Sequence, residues 1–158
     1  MTTTSERLVD QLKRSAEGEA WHGPSVREAL DGVTVEDASA HPIPGAHSIR
    51  ELVLHIAAGV QLVLRRLDGD GRQLTPEEDW PTPSEPTADA WQREVESLFA
   101  LNQRLREAVA RFPDARLDEP LVPEPPYSAF TQFIGLTQHD LYHAGQIVLL
   151  RRALGDGR

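Results

Sequence analysis

His139 and His143 stand four residues apart in Gln138-His139-Asp140-Leu141-Tyr142-His143, and a third histidine, His55, lies far upstream in the apolar run Leu52-Val53-Leu54-His55-Ile56. In a helix, positions i and i+4 stack on one face roughly 6 Å apart, so the pair can share one ion without bending its backbone. His55 occupies a core-facing position of a second helical stretch and is the natural third ligand. Three neutral imidazoles leave a further coordination position for water or substrate, whereas closed structural zinc sites use four protein ligands, often with cysteine. The alternative for each histidine is a hydrogen-bonded core residue that meets no ion.

Groups near the trio in sequence could orient it. Glu51 lies one turn before His55, Asp140 adjoins His139, and Gln146 is three residues past His143. Such neighbours fix an imidazole tautomer. Glu51 is also the one carboxylate placed to act as a general base, although it equally suits a helix cap, and Asp140 equally suits a solvated surface. His22 beside Trp21, Tyr127, and Gln146 are candidates for lining a pocket. His41 and His47 read as surface loop residues, and Trp80, Trp91 and Phe130 as core or interface. Gly59, Gly135 and Gly145 interrupt helical stretches, which points to close helix packing or room for a ligand.

The elements that carry these residues are helical. Leu8, Val9, Leu12 and Ala16 mark an amphipathic helix over 4–17. Pro24 opens a short helix ending near Leu30, and Thr34 with Asp37 resembles a capping box. Ser48 and Glu51 cap a helix over 48–67 that carries His55. Asp68-Gly69-Asp70-Gly71 ends it, and residues 72–86, with several prolines and acids, read as an exposed loop. Arg72 stands where a calcium loop needs a ligand, which argues against that cation. An amphipathic helix from Thr87 or Asp89 to about Phe112 follows. A last helix runs from Ser128 to Ala153, stopped by Leu154-Gly155-Asp156-Gly157. On it Gln132, Leu136, His139, His143, Gln146 or Ile147, and Leu150 share one face. No convincing strand period appears. The expectation is an all-α four-helix bundle with extra short helical turns, forming one domain over 1–158.

Composition narrows the function. The chain has no cysteine, so it offers no disulfide, thiolate ligand or cysteine nucleophile, and thiol chemistry needs an external thiol. A net charge of -9 disfavours nucleic acid and anionic membrane as partners. The absence of a signal-like start or a long apolar run predicts a cytoplasmic protein.

The segments around His55 and from Gln138 to Ile147, together with Trp21-His22-Gly23-Pro24-Ser25, Pro44-Gly45-Ala46-His47-Ser48-Ile49 and Asp79-Trp80-Pro81, resemble the DinB-like (YfiT-like) family. The resemblance covers nearly the whole chain. It implies an up-down-down-up bundle, a divalent metal such as zinc or nickel on His55, His139 and His143, and commonly a homodimer. Relatives of that kind include thiol S-transferases that use a low-molecular-weight thiol, a thiol-dependent isomerase, and proteins described as metal-dependent hydrolases. The leading expectation is therefore an enzyme that activates a thiol, or else water, against a small-molecule substrate. The alternatives are a metal-dependent hydrolase, a non-catalytic metal- or ligand-binding bundle, and a dimerisation domain with core histidines. Imidazoles that titrate near pH 6.5 predict metal affinity that falls below about pH 6.

Overall fold

A computed structural model describes residues 2–155; Asp156 and Gly157, part of the expected stop signal, lie outside them. The described residues form α1 (Thr4–Glu17), α2 (Val26–Leu30), α3 (Val35–Ser39), α4 (Ile49–Leu67), α5 (Pro76–Asp79), α6 (Ala88–Ala110) and α7 (Ala129–Ala153), with a 3-10 turn at Asp114–Arg116. No strand occurs among them, as the helical period led us to expect. Ser48 accepts from the backbone N–H of Glu51 while the Glu51 side chain accepts from the Ser48 N–H, closing the cap that starts α4. Ser25 caps α2 in the same way, so Pro24 sits just outside that helix rather than in it.

Long-range contacts fix the helix directions. Ser5, at the start of α1, bonds to Phe112 and Asp114 just past the end of α6, so these two helices are antiparallel. Ser15 of α1 bonds to Asp140 of α7, and Leu8 and Leu12 share a core with Ala129, Phe133 and Leu136; α1 and α7 are parallel. Arg50 reaches Glu94 near the start of α6, while Val60 and Val63 pack with Leu105 and Val109 near its end; α4 and α6 are parallel. Arg66 meets Gln132 and His55 meets His139, so α4 and α7 are antiparallel. The bundle is thus up-down-down-up.

Its interior divides into two apolar clusters. One holds Leu52, Val53, Ile56, Leu98, Ala144 and Ile147 among others. The second holds Leu12, Val60, Leu105, Phe133 and Leu136. The three histidines fall near the seam: His55 adjoins Ile56, the last buried α4 residue of the first cluster, a turn before Val60 of the second, and His139 and His143 lie between Leu136 and Ile147 along α7.

Residues 72–86 depart from the expected plain loop. Pro76–Asp79 forms a one-turn helix, α5, with a capping box between Thr75 and Glu78 and proline in the first turn, a combination legible in the sequence. Its end places Asp79 and Trp80 over α4. The chain after Trp80 is held by Arg50, which is 1% exposed. The Arg50 guanidinium grips both Glu94 carboxylate oxygens at 2.6 and 2.7 Å and donates to the Ser84 carbonyl at 2.9 Å.

Candidate metal centre

The Nε2 atom of His139 lies 3.0 Å from Nε2 of His55 and 3.1 Å from Nε2 of His143. These three nitrogens form a group able to hold a metal ion, with all ligand atoms within 4.8 Å of one another. A tetrahedral ion with Zn–N bonds of about 2.0–2.1 Å wants its ligands about 3.3 Å apart. The His139–His55 and His139–His143 spacings meet that within a few tenths of an ångström.

Tautomers follow from what the other ring nitrogens touch. Nδ1 of His55 is 2.7 Å from the carbonyl oxygen of Asp79, which can only accept, so the proton sits on Nδ1. Nδ1 of His143 donates to Oε1 of Gln146 at 2.7 Å. Both rings therefore turn a bare Nε2 lone pair toward His139. Two lone pairs converging at about 3 Å repel, and a single His139 Nε2–H cannot bridge both. A cation satisfies every one of them. Nδ1 of His139 is buried and has no partner among the described residues.

Electrostatics favour the ligating, neutral form. Burial, followed by the neighbouring His143 and His55, pushes the His139 pKa down to about 4. Burial also lowers His143, with the Gln146 hydrogen bond partly opposing it. Proton competition at His139 thus sets in well below the pH 6 that unperturbed imidazoles lead one to expect.

Trp80 organises the approach to His55. Its ring stacks on His55 with centroids 3.9 Å apart and planes 1° from parallel, and on His47 at 3.6 Å and 10°. Two rings cannot both stack within 4 Å of one centroid on the same side, so Trp80 is sandwiched between the histidines. Asp79 and Trp80 were not read from sequence as neighbours of the trio. The signal was the cap at Thr75, which ends its helical turn at those residues.

The remaining candidates fall into different places. Gln146 sits against His143 as described. Asp140, whose neighbourhood to His139 is only sequential, points toward α1 instead: it is 0% exposed and accepts from Ser15 Oγ at 2.9 Å. It is neither solvated nor bonded to a ligand histidine, because adjacent helix positions lie about 100° apart. Oε2 of Glu51 accepts from the Ser48 N–H at 2.6 Å and from His41 Nε2 at 3.0 Å. Burial pushes the Glu51 carboxyl up, but these bonds outweigh it and hold the group below its usual range.

His22 stands with Trp21, which is 95% exposed. Tyr127 precedes α7 and lies about sixteen residues, or roughly 24 Å of helix, from His143. Neither lines the cavity of about 420 Å³ that opens beside His143; Gln146, Trp80 and His47 do. Trp91 is core, whereas Phe130 is 40% exposed.

Among the glycines, Gly59 faces the trio. A methyl there would meet His139 Cε1 at 3.4 Å, an ordinary contact, while nothing lies within 4 Å at Gly135 or Gly145, so those two are not close-packing sites. Gly59→Ala is expected to keep stoichiometric metal and to gain up to about 1 kcal/mol of helix stability. Gly59→Val, whose branched methyls reach further into the ring, should displace His139 and lose metal. Elemental analysis and thermal unfolding of both variants check this.

A model of the DinB superfamily matches residues 20–147 of the chain. No curated protein and no solved structure matches it.

Proposed function

We propose, from the premise that this chain belongs to the DinB superfamily, that it is a metal-dependent enzyme of the thiol S-transferase type, with His55, His139 and His143 holding one divalent ion, zinc or nickel. The observation that carries this reading is the convergence of the His55 and His143 Nε2 atoms on His139 Nε2 at 3.0 and 3.1 Å, with the tautomers of those two rings fixed from behind. An ion held by these three residues would favour the deprotonated form of a thiol or water, supplying the nucleophile that a chain without cysteine lacks.

The protein's own groups do the rest. Asp79 and Gln146 hold the His55 and His143 rings in the ligating tautomer. Trp80 keeps the His55 plane from rotating, and burial keeps His139 unprotonated. The cavity beside His143 gives a small molecule access to one side of the trio.

Thiol transfer is preferred to hydrolysis because hydrolysis calls for a carboxylate free to take a proton from water. The Glu51 carboxylate is instead engaged by Ser48 and His41. Among the described residues no helix is long and apolar enough to cross a membrane. The reading includes a homodimer.

Purified protein should contain about one divalent ion per chain. Metal-loaded protein should accelerate conjugation of monochlorobimane with a low-molecular-weight thiol, and chelation should remove the acceleration. Thiol-independent ester or amide cleavage would favour the hydrolase. Stoichiometric metal with neither activity would favour a binding bundle.

A further inference from the structure

We infer that the cavity beside His143 receives an uncharged, mainly apolar molecule bearing one hydrogen-bond acceptor such as a carbonyl oxygen. Its size, about 420 Å³, lies within the range of small-molecule sites. Ile43, Leu52, Leu149 and Leu150 supply apolar wall, and none of the lining residues is Lys, Arg, Asp or Glu. Apart from the ion the trio would hold, an anionic ligand would find no counter-charge among the lining side chains, in a chain already carrying a net charge of -9.

The polar points are few and their roles differ. Gln146 lines the cavity and gives its Oε1 to His143, which leaves the amide NH2 as a donor for the ligand. Trp80 has both faces covered by His47 and His55, so it offers an edge rather than a stacking surface. His143 forms the end of the cavity next to the trio. A carbonyl held by Gln146 would therefore lie close to the place where a nucleophile is generated, while the apolar body extends toward Leu149 and Tyr142, which are 57% and 66% exposed at the rim.

This assignment rests on the enzymatic reading only for the statement that the acceptor end reacts; the binding preference stands on the cavity alone. It also separates the two substrates, since a charged biological thiol would approach from solvent and the cavity would hold its uncharged electrophilic partner.

The test compares 2-acetylnaphthalene with 2-naphthoate, similar in shape but differing in charge, on zinc-loaded and metal-free protein. Binding is read by calorimetry and by tryptophan fluorescence. The ketone should bind the metal-free form at least ten-fold more tightly than the carboxylate. Ala46→Trp, which fills the cavity, should abolish ketone binding. Leu149→Arg, at an exposed position that tolerates the change, should raise naphthoate affinity several-fold.

Equal affinity of the metal-free protein for the two probes would overturn the inference. So would ketone binding that survives Ala46→Trp, an unchanged naphthoate affinity in Leu149→Arg, or absence of ketone binding to folded protein, including a dimer that covers the rim. Metal content measured on the same samples tells this failure from failure of the enzymatic reading, because the metal-free arm does not need the ion.

Discussion

His139→Ala should reduce bound metal from about one ion per chain to a trace while the protein stays helical. His139 is the ring that touches both others, at 3.0 and 3.1 Å, so its loss leaves His55 and His143 without the nitrogen that joins them. If the binding free energy of a histidine-rich zinc site is on the order of 10 kcal/mol, one ligand of three carries roughly 3 kcal/mol, a loss of two to three orders of magnitude in affinity. Folding should survive because the ring lies between two intact apolar clusters and its Nδ1 has no protein partner to lose. Gln146→Ala tests the support rather than the ligand, and its expected loss is about 10–100-fold. Competition with a chromogenic chelator gives both numbers, and circular dichroism verifies the fold. Stoichiometric zinc in His139→Ala would refute the three-histidine centre.

Asp140→Asn should change the pH dependence of stability more than any other single substitution near the centre. Burial raises the Asp140 pKa from 3.8 to about 7 against the opposing pull of Ser15 and Asn102. A carboxyl raised in the folded state stabilises fully below its unfolded pKa, and that contribution is lost as pH climbs from about 4 to 7. The shift corresponds to at most about 4 kcal/mol. His139 acts in the opposite sense: with its pKa depressed to about 4, the folded state is penalised as pH falls from 6.5 toward 4. That penalty is at most about 3 kcal/mol, and less because the ring is partly solvated.

Between pH 4 and 6.5 the folded chain keeps a proton on Asp140 and none on His139, while the unfolded chain does the reverse. The two contributions to the slope therefore offset each other in metal-free protein. Asp140→Asn keeps an acceptor for Ser15 Oγ and abolishes the titration, which exposes the His139 slope. Relative to the unsubstituted protein, its stability should be little changed near pH 4 and several kcal/mol higher near pH 8. Urea unfolding of both proteins from pH 4 to 8 measures the difference. A difference that does not grow with pH would mean that Asp140 is ionised in the folded state.

Much of this arrangement is local and could be read from residues alone. Ser48 with Glu51 fixes where α4 begins, the spacing of Leu8, Leu12 and Ala16 fixes the buried stripe of α1, and four-residue spacing puts His139 and His143 on one face. These features depend on backbone geometry that repeats within one or two turns, so sequence distance and spatial distance agree.

What the tertiary structure decided are the meetings between segments far apart in the chain. The pairing of His55 with His139 spans 84 residues, and the Asp79 carbonyl behind His55 spans 24. Asp140 shows the same point in reverse, since its sequence neighbour is a candidate ligand but its spatial neighbours are Ser15 and Asn102. Helix rotation, set by which faces bury best across the whole bundle, assigns each side chain its surroundings, and no local pattern contains that information.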